Sequence, residues 1–234
     1  MKTNCFILIT LIFAFNACSS SAQTSGSKRN VSNFSSISVS GGIDVNFTQS
    51  NKYTAEIETD AENLPNVEIE VKDGTLEIKR KKGTQFKRNT KVLVYVSAPT
   101  LEKLAMSGGS DVNIKDLSTN KLFSVAASGG ADLDIEKLSV SECKLAFSGG
   151  ADCDIKMLKA KDVQLSFSGG SDGEIHLDVE KLTAAASGGA DLELSGKVQK
   201  ASVAASGGSD VNIRNLSGGD ISTSKSGGGS IKKN

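Results

Sequence analysis

Tryptophan is absent from this chain of 234 residues, tyrosine occurs only at Tyr53 and Tyr95, and His176 is the single histidine. With no tryptophan and only two tyrosines, the chain is poor in the flat, amphipathic platforms on which sugar rings usually stack. One histidine leaves Ser-His-Asp or Cys-His chemistry a single centre, and its position three residues beyond Gly173 places it on the outward parity of a strand, in solvent. Charge of either sign is not in excess: 27 basic and 27 acidic residues cancel, so the body as a whole is not steered toward nucleic acid or an anionic membrane. Cysteine is sparse, at four residues, which rules out a disulfide scaffold of the small secreted kind. Helical spacing of apolar residues is missing from the whole C-terminal half.

In its place stands a repeated turn. Ser107-Gly108-Gly109-Ser110-Asp111 recurs at 128–132, 148–152, 168–172, 187–191 and 206–210, with a degenerate copy at 226–230 and an outlying relative at Ser40-Gly41-Gly42-Ile43-Asp44. Successive steps are 21, 20, 20, 19, 19 and 20 residues, the period of a solenoid whose repeats stack as coils. Five and seven residues after each motif serine the pairs Val112/Ile114, Leu133/Ile135, Cys153/Ile155, Gly173/Ile175, Leu192/Leu194 and Val211/Ile213 alternate with polar residues. Five, three and one before it, Phe123/Val125/Ala127 and their equivalents do the same. Two strands with one buried face each therefore flank every Gly-Gly corner. Glycine suits that corner because positive φ is required there and an identical chain lies about 4.8 Å above and below. The expectation is an all-β, single-domain parallel β-helix of roughly seven stacked coils of about 20 residues each, with an irregular N-terminal β cap. Leu117, Leu138, Leu158 and Leu216 add a third apolar column, and Gly173 is expected beside the bulky pair Phe147 and Phe167.

Boundaries follow from composition. Met1-Lys2 and the apolar run from Cys5 to Phe15 read as an export signal over residues 1–17, too short to span a membrane. Phe15-Asn16-Ala17-Cys18 resembles a lipobox and marks Cys18 for lipidation, although cleavage after Ala22 is the alternative. Residues 18–31, rich in serine, read as a flexible tether. Residues 32–230 form the domain: 32–100 the irregular first coils that cover the open apolar end, and 101–230 the regular repeats. Residues 231–234 are a polar tail. Lys72-Asp73-Gly74-Thr75 between two alternating runs signals a hairpin. The basic stretches Lys79-Arg80-Lys81-Lys82 and Lys87-Arg88 fall on or beyond it, as either a solvated loop or a binding patch. Cys143 and Cys153 lie on inward positions, as two buried thiols or a disulfide.

The start Phe34 to Val45, with its Gly-Gly-Ile-Asp-Val, the Pro99-x-Leu101-x-x-Leu104 step and the Ser-Gly-Gly-Ser/Ala-Asp corners together resemble the head GIN domain family, also called putative auto-transporter adhesins. That resemblance implies a β-helix shaped like pectate lyases, lipoproteins of Gram-negative bacteria, no conserved catalytic set and a role in adhesion.

Two acidic columns are expected on the surface. Asp111, Asp132, Asp152, Asp172, Asp191 and Asp210 form one, and Asn113, Asp134, Asp154, Glu174, Glu193 and Asn212 the other. The corner aspartates read as acceptors for their own turn amides, with a calcium ladder as the alternative. No catalytic or cofactor-binding residues are assigned, and no enzyme is expected. The leading expectation is a lipid-anchored scaffold or adhesin of the cell envelope, on the outer membrane, meeting the membrane through Cys18 and an envelope protein or glycan through its repetitive surface. The alternative is a glycan-binding or glycan-active protein on the same rod.

Overall fold

The computed structural model describes residues 24–87 and 90–234; the expected export signal, the expected lipidation site Cys18 and the first residues of the expected tether lie outside them. The N-terminal strands are β1 (Thr24–Arg29), β2 (Ser36–Ser40), β3 (Asp44–Gln49), β4 (Thr54–Asp60), β5 (Val67–Lys72), β6 (Thr75–Arg80) and β7 (Leu93–Ala98). The regular part opens with β8 (Lys103–Ser107), β9 (Val112–Ser118), β10 (Leu122–Ser128), β11 (Leu133–Ser139) and β12 (Glu142–Gly149). It continues through three long strands, β13 (Cys153–Gly169), β14 (Asp172–Gly188) and β15 (Asp191–Ala205), and closes with β16 (Asp210–Asn212), β17 (Leu216–Lys225) and β18 (Ser230–Lys232). Apart from one 3-10 turn at Leu64–Asn66, the described residues contain no helix.

Stacking is parallel and in register. Leu133 lies between Val112 and Cys153, and Phe147 lies between Ala127 and Phe167. About six turns are completed, fewer than the motif count implies, because the last corner leads only into the three-residue β18. Period-two alternation puts one face of every strand inside, where Val112, Ile114, Leu145, Phe147 and Ile175 are fully buried. Phe147 and Phe167 stack with centroids 5.1 Å apart and planes 5° from parallel. Gly173 lies against that pair: a Cβ there would stand 2.7 Å from Phe167 and 2.8 Å from Leu192. Cys143 and Cys153 are both buried and both free, and burial pushes their thiols well above the ordinary range.

The third apolar column includes Leu177, which sequence spacing misses. Leu158 pairs with Leu177 after a register shift that follows Ile155, because two residues separate Ile155 from Leu158 and only His176 separates Ile175 from Leu177. One residue is lost from the coil there, which is where the period drops from 20 to 19.

The N-terminal cap departs from expectation in its order. β2 lies between β6 and β8, and β3 between β7 and β9. The coil nearest the array is therefore the first in sequence, and the segment from β6 to β7 folds back over it as the outer coil. The hairpin makes this possible: Asp73 and Gly74 both take positive φ, 47° and 73°, and β5 returns antiparallel along β6. β4 pairs antiparallel with β7, and β1 with β4. This corrects the tether, since a strand begins at Thr24. Its Ser/Thr/Lys sequence carries no apolar face to reveal it; the free backbone edge of β4 supplies its partners.

At the corners, both glycines have positive φ in the first three copies, whereas at 149, 169, 188 and 207 only the first does. The close approach persists: a Cβ at Gly169 would stand 3.0 Å from the nitrogen and oxygen of Gly149. With strain and crowding combined, Gly169→Val and Gly149→Val should each lose about 1–3 kcal/mol of stability. Denaturant titration checks this, and unchanged midpoints in both would mean that the corners tolerate a side chain.

Candidate functional site

One flank of the rod carries the acidic columns as anticipated. Asp172 pairs with Asp191 and Asp191 with Asp210, while Asp134, Asp154, Glu174 and Glu193 follow one another two residues on. Between them runs a trough of about 580 Å³, lined also by Leu133, Cys153, Gly173 and Leu192, with Lys232 at the last coil. It follows the columns and is lined by repeating groups.

Among the described residues, two corner aspartates accept a backbone amide from the adjoining coil rather than from their own turn. The amide of Asp172 donates to Asp152 Oδ1 of the preceding coil at 3.1 Å, and that of Asp111 reaches Asp44 Oδ1 at 3.5 Å. Each such carboxylate accepts from the next coil, so it ties two coils together. Asp44 extends the column into the cap and is met by Lys91 Nζ at 3.2 Å. The Ser40-Gly41-Gly42-Ile43-Asp44 motif was the available signal for that extension. Among the described residues no group of three or more His, Cys, Asp or Glu side chains is placed to hold a metal ion.

Parallel stacking sets like charges about 5 Å apart, which costs roughly 0.8 kcal/mol per neighbouring pair in water. The titration of the column reflects this. Partial burial, and then the neighbouring carboxylate, hold Asp111, Asp132, Asp134 and Asp172 above the ordinary aspartate range. The neighbours are Asp44, Asp152, Asp154 and Asp152 respectively.

The enzyme-like residues are dispersed. His176 is exposed, and its Nδ1 lies 2.9 Å from Oγ of Ser195, its ladder neighbour on the next coil. Among the described residues no carboxylate is hydrogen-bonded to the ring, and Cys143 and Cys153 face the core.

A second flank is built of small residues. Ser38, Ala105, Ala126, Ala146, Ser166, Ala185, Ala204 and Ser224 stack as one outward column. The motif serines form a parallel column beside it, with the hydroxyls of Ser148, Ser168 and Ser206 reaching carbonyls of the preceding coil at 3.4–3.5 Å. Small side chains leave a shallow, open groove of about 420 Å³ between the two columns, from Ser38 to Ser168.

Two measurements test the acidic column. A carboxylate whose folded pKa is raised lets the native state bind protons before the unfolded chain does, so its contribution to stability grows as pH falls through the raised values. The variant Asp132→Asn/Asp134→Asn/Asp172→Asn should therefore gain most over the parent near neutral pH and lose that advantage as pH falls toward the ordinary aspartate pKa of about 3.9. A difference in melting temperature that is constant with pH would refute the assignment. Glu70, held below its ordinary value by hydrogen bonds to Lys72 and Lys79, acts in the opposite sense in both proteins and cancels in the difference. Added calcium should leave the melting temperature of the parent unchanged, because an ion stabilises only through tighter binding to the folded state. A rise that Asp132→Asn/Asp152→Asn/Asp172→Asn abolishes would make the column a cation site.

Comparison with known proteins places this architecture. A putative adhesin from Bacteroides fragilis superposes with a TM-score of 0.81 at 22% identity, covering 92% of this chain and 98% of that one. A putative adhesin from Parabacteroides merdae gives 0.76 at 18%, over 92% and 97%. A putative lipid binding protein from Parabacteroides distasonis gives 0.59 at 20%, over 92% and 98%. At these identities the likeness is one of fold. No curated protein matches the chain. Family models are decisive where curated relatives are lacking, and one matches residues 33–156 and again 144–234: the chain belongs to the family described as putative auto-transporter adhesin, head GIN domain.

Proposed function

We propose that this protein is a non-catalytic adhesin or interaction scaffold of the cell envelope, anchored by lipid on Cys18 and engaging a surface protein or glycan through its regular, shallow Ser/Ala face. The observation that carries the reading is the unbroken outward column from Ser38 to Ser224. Shallow, regular faces of small residues allow close approach over a long contact at little cost in side-chain entropy. A glycan-active rod would instead need a cleft that interrupts the columns with non-repeating acid and base groups. The trough of this molecule follows its columns. Membership of an adhesin family agrees with a place at the envelope, and the lipobox-like sequence before Cys18 motivates an outer-membrane lipoprotein.

Two linked experiments test this reading. Cys18→Ala should move the protein from the membrane fraction to the soluble envelope fraction, and unchanged attachment would remove the anchor. A photo-crosslinking residue at Ala146 should give adducts with a partner in intact cells, whereas the same residue at Lys161 should not. Equal labelling from both positions would end the case for the Ser/Ala face.

A further inference from the structure

The capped end of the rod carries cations that the cap does not neutralise. β6 ends at Arg80, which lies over the Gly41 corner: a Cβ on Gly41 would stand 3.2 Å from Arg80 Cβ. Arg80, Lys81 and Lys82 thus occupy the outermost position of the edge that the Gly-Gly corners form further along. All three are exposed. Their neighbours have acidic partners: Lys72 and Lys79 share Glu70 at 2.9 and 3.0 Å, Lys79 also meets Glu77 at 2.7 Å, and Lys87 pairs with Glu62. Among the described residues, Arg80, Lys81 and Lys82 have no such pair. The Arg80 guanidinium lies 5.7 Å from the Phe86 ring centroid, a cation–π contact that braces the turn.

The same end receives the chain from its N-terminus. Thr24 lies opposite Asp60, and Asp60 Oδ2 accepts from Thr90 Oγ1 at 3.2 Å. The short segment after Asp60 then meets the basic loop directly: Asn63 Oδ1 accepts from the Lys87 amide at 3.2 Å, and the Asn66 carbonyl from the Lys81 amide at 2.8 Å. Cys18 precedes Thr24 by six residues, a covalent reach of at most about 21 Å. An acyl chain on Cys18 would hold this end, and no other part of the rod, against the bilayer.

We propose that the Arg80-Lys81-Lys82 turn is a docking surface for anionic phospholipid headgroups, which seats the capped end on the membrane and points the C-terminal coils away from it. The orientation rests on the anchor at Cys18 proposed above; the affinity of the turn for headgroups does not. A lipid chain and a basic patch act together in membrane attachment, and the attraction extends only over a Debye length, about 8 Å at physiological salt.

The test uses the full chain carrying Cys18→Ala, purified from whichever cell fraction holds it, so that no acyl chain contributes. It should sediment with vesicles of phosphatidylcholine containing about a third phosphatidylglycerol, and far less with phosphatidylcholine alone, because the attraction is electrostatic. Adding Arg80→Gln/Lys81→Gln/Lys82→Gln should weaken binding to the anionic vesicles about 100-fold, at about fivefold per cation. The melting temperature should fall by no more than a few degrees, since the turn is exposed and only the Arg80–Phe86 contact is lost. Equal binding to both vesicle types, or binding unaffected by the three substitutions, overturns the proposal. Protection by millimolar inorganic phosphate without any vesicle binding would identify a free-phosphate site and overturn it too. Fractionation of cells bearing Cys18→Ala alone reports separately on the anchor, so a failure there leaves the vesicle result to stand or fall by itself.

Discussion

Everything in the rod depends on how closely one coil's backbone can lie on the next at the glycine corner. There the amide nitrogens of Gly170, Gly189 and Gly208 stand 2.6–2.7 Å from carbonyl oxygens of the preceding coil, at the short end of the hydrogen-bond range. Because the corner fixes the vertical spacing and the register together, every side chain beyond it inherits a column. Inward columns fill a continuous apolar core and outward ones become regular faces. The acidic flank is the same constraint applied to a charged residue: like charges are stacked because the backbone leaves no other register. Carboxylates relieve part of that cost by accepting amides of the adjoining coil, and partial protonation relieves more as pH falls.

Much of this was legible because it is local and periodic. Alternation over a few residues settles which side chains point inward, and Gly173 beside Phe147 and Phe167 could be picked out as a volume exchange. What escaped has a common physical cause, namely pairing with segments distant in sequence. Alternation in β2 says that one face is buried but not whether β6 or β8 covers it, and both do. β1 has no apolar pattern and owes its strand conformation to a neighbouring edge. The donor to each corner aspartate depends on which way a carboxylate leans between coils, which a repeat of residue types does not encode. Leu177 was hidden by the loss of one residue from its coil, a change that shifts count without shifting chemistry.

Two flanks of the molecule have opposite character while sharing one backbone. On the acidic flank, identical charges repel and keep other acidic surfaces away. On the Ser/Ala flank the side chains are too short to obstruct a flat partner and carry few polar atoms that need compensation. A rod built this way has a built-in sidedness, and what it can bind is decided by the residue at a single position of the repeat multiplied along its length. The His176–Ser195 pair is a reminder that repetition also creates chance neighbours: two residues 19 apart in sequence meet simply because they share a register.

The inverted order of the cap bears on how the protein can fold as its chain is made. In the array each coil needs only the one before it, about 20 residues back. β2 and β3 are different, since each is held on one side by a strand from the fold-back segment and on the other by the first regular coil, so Ile37 waits for both Leu76 and Leu104. As the chain is made from its N-terminus, β6 and β7 cover one edge of β2 and β3, and the other edge stays open until β8 and β9 follow, at about residue 114. The first regular coil, not the first strand, closes the earliest complete layer of the solenoid.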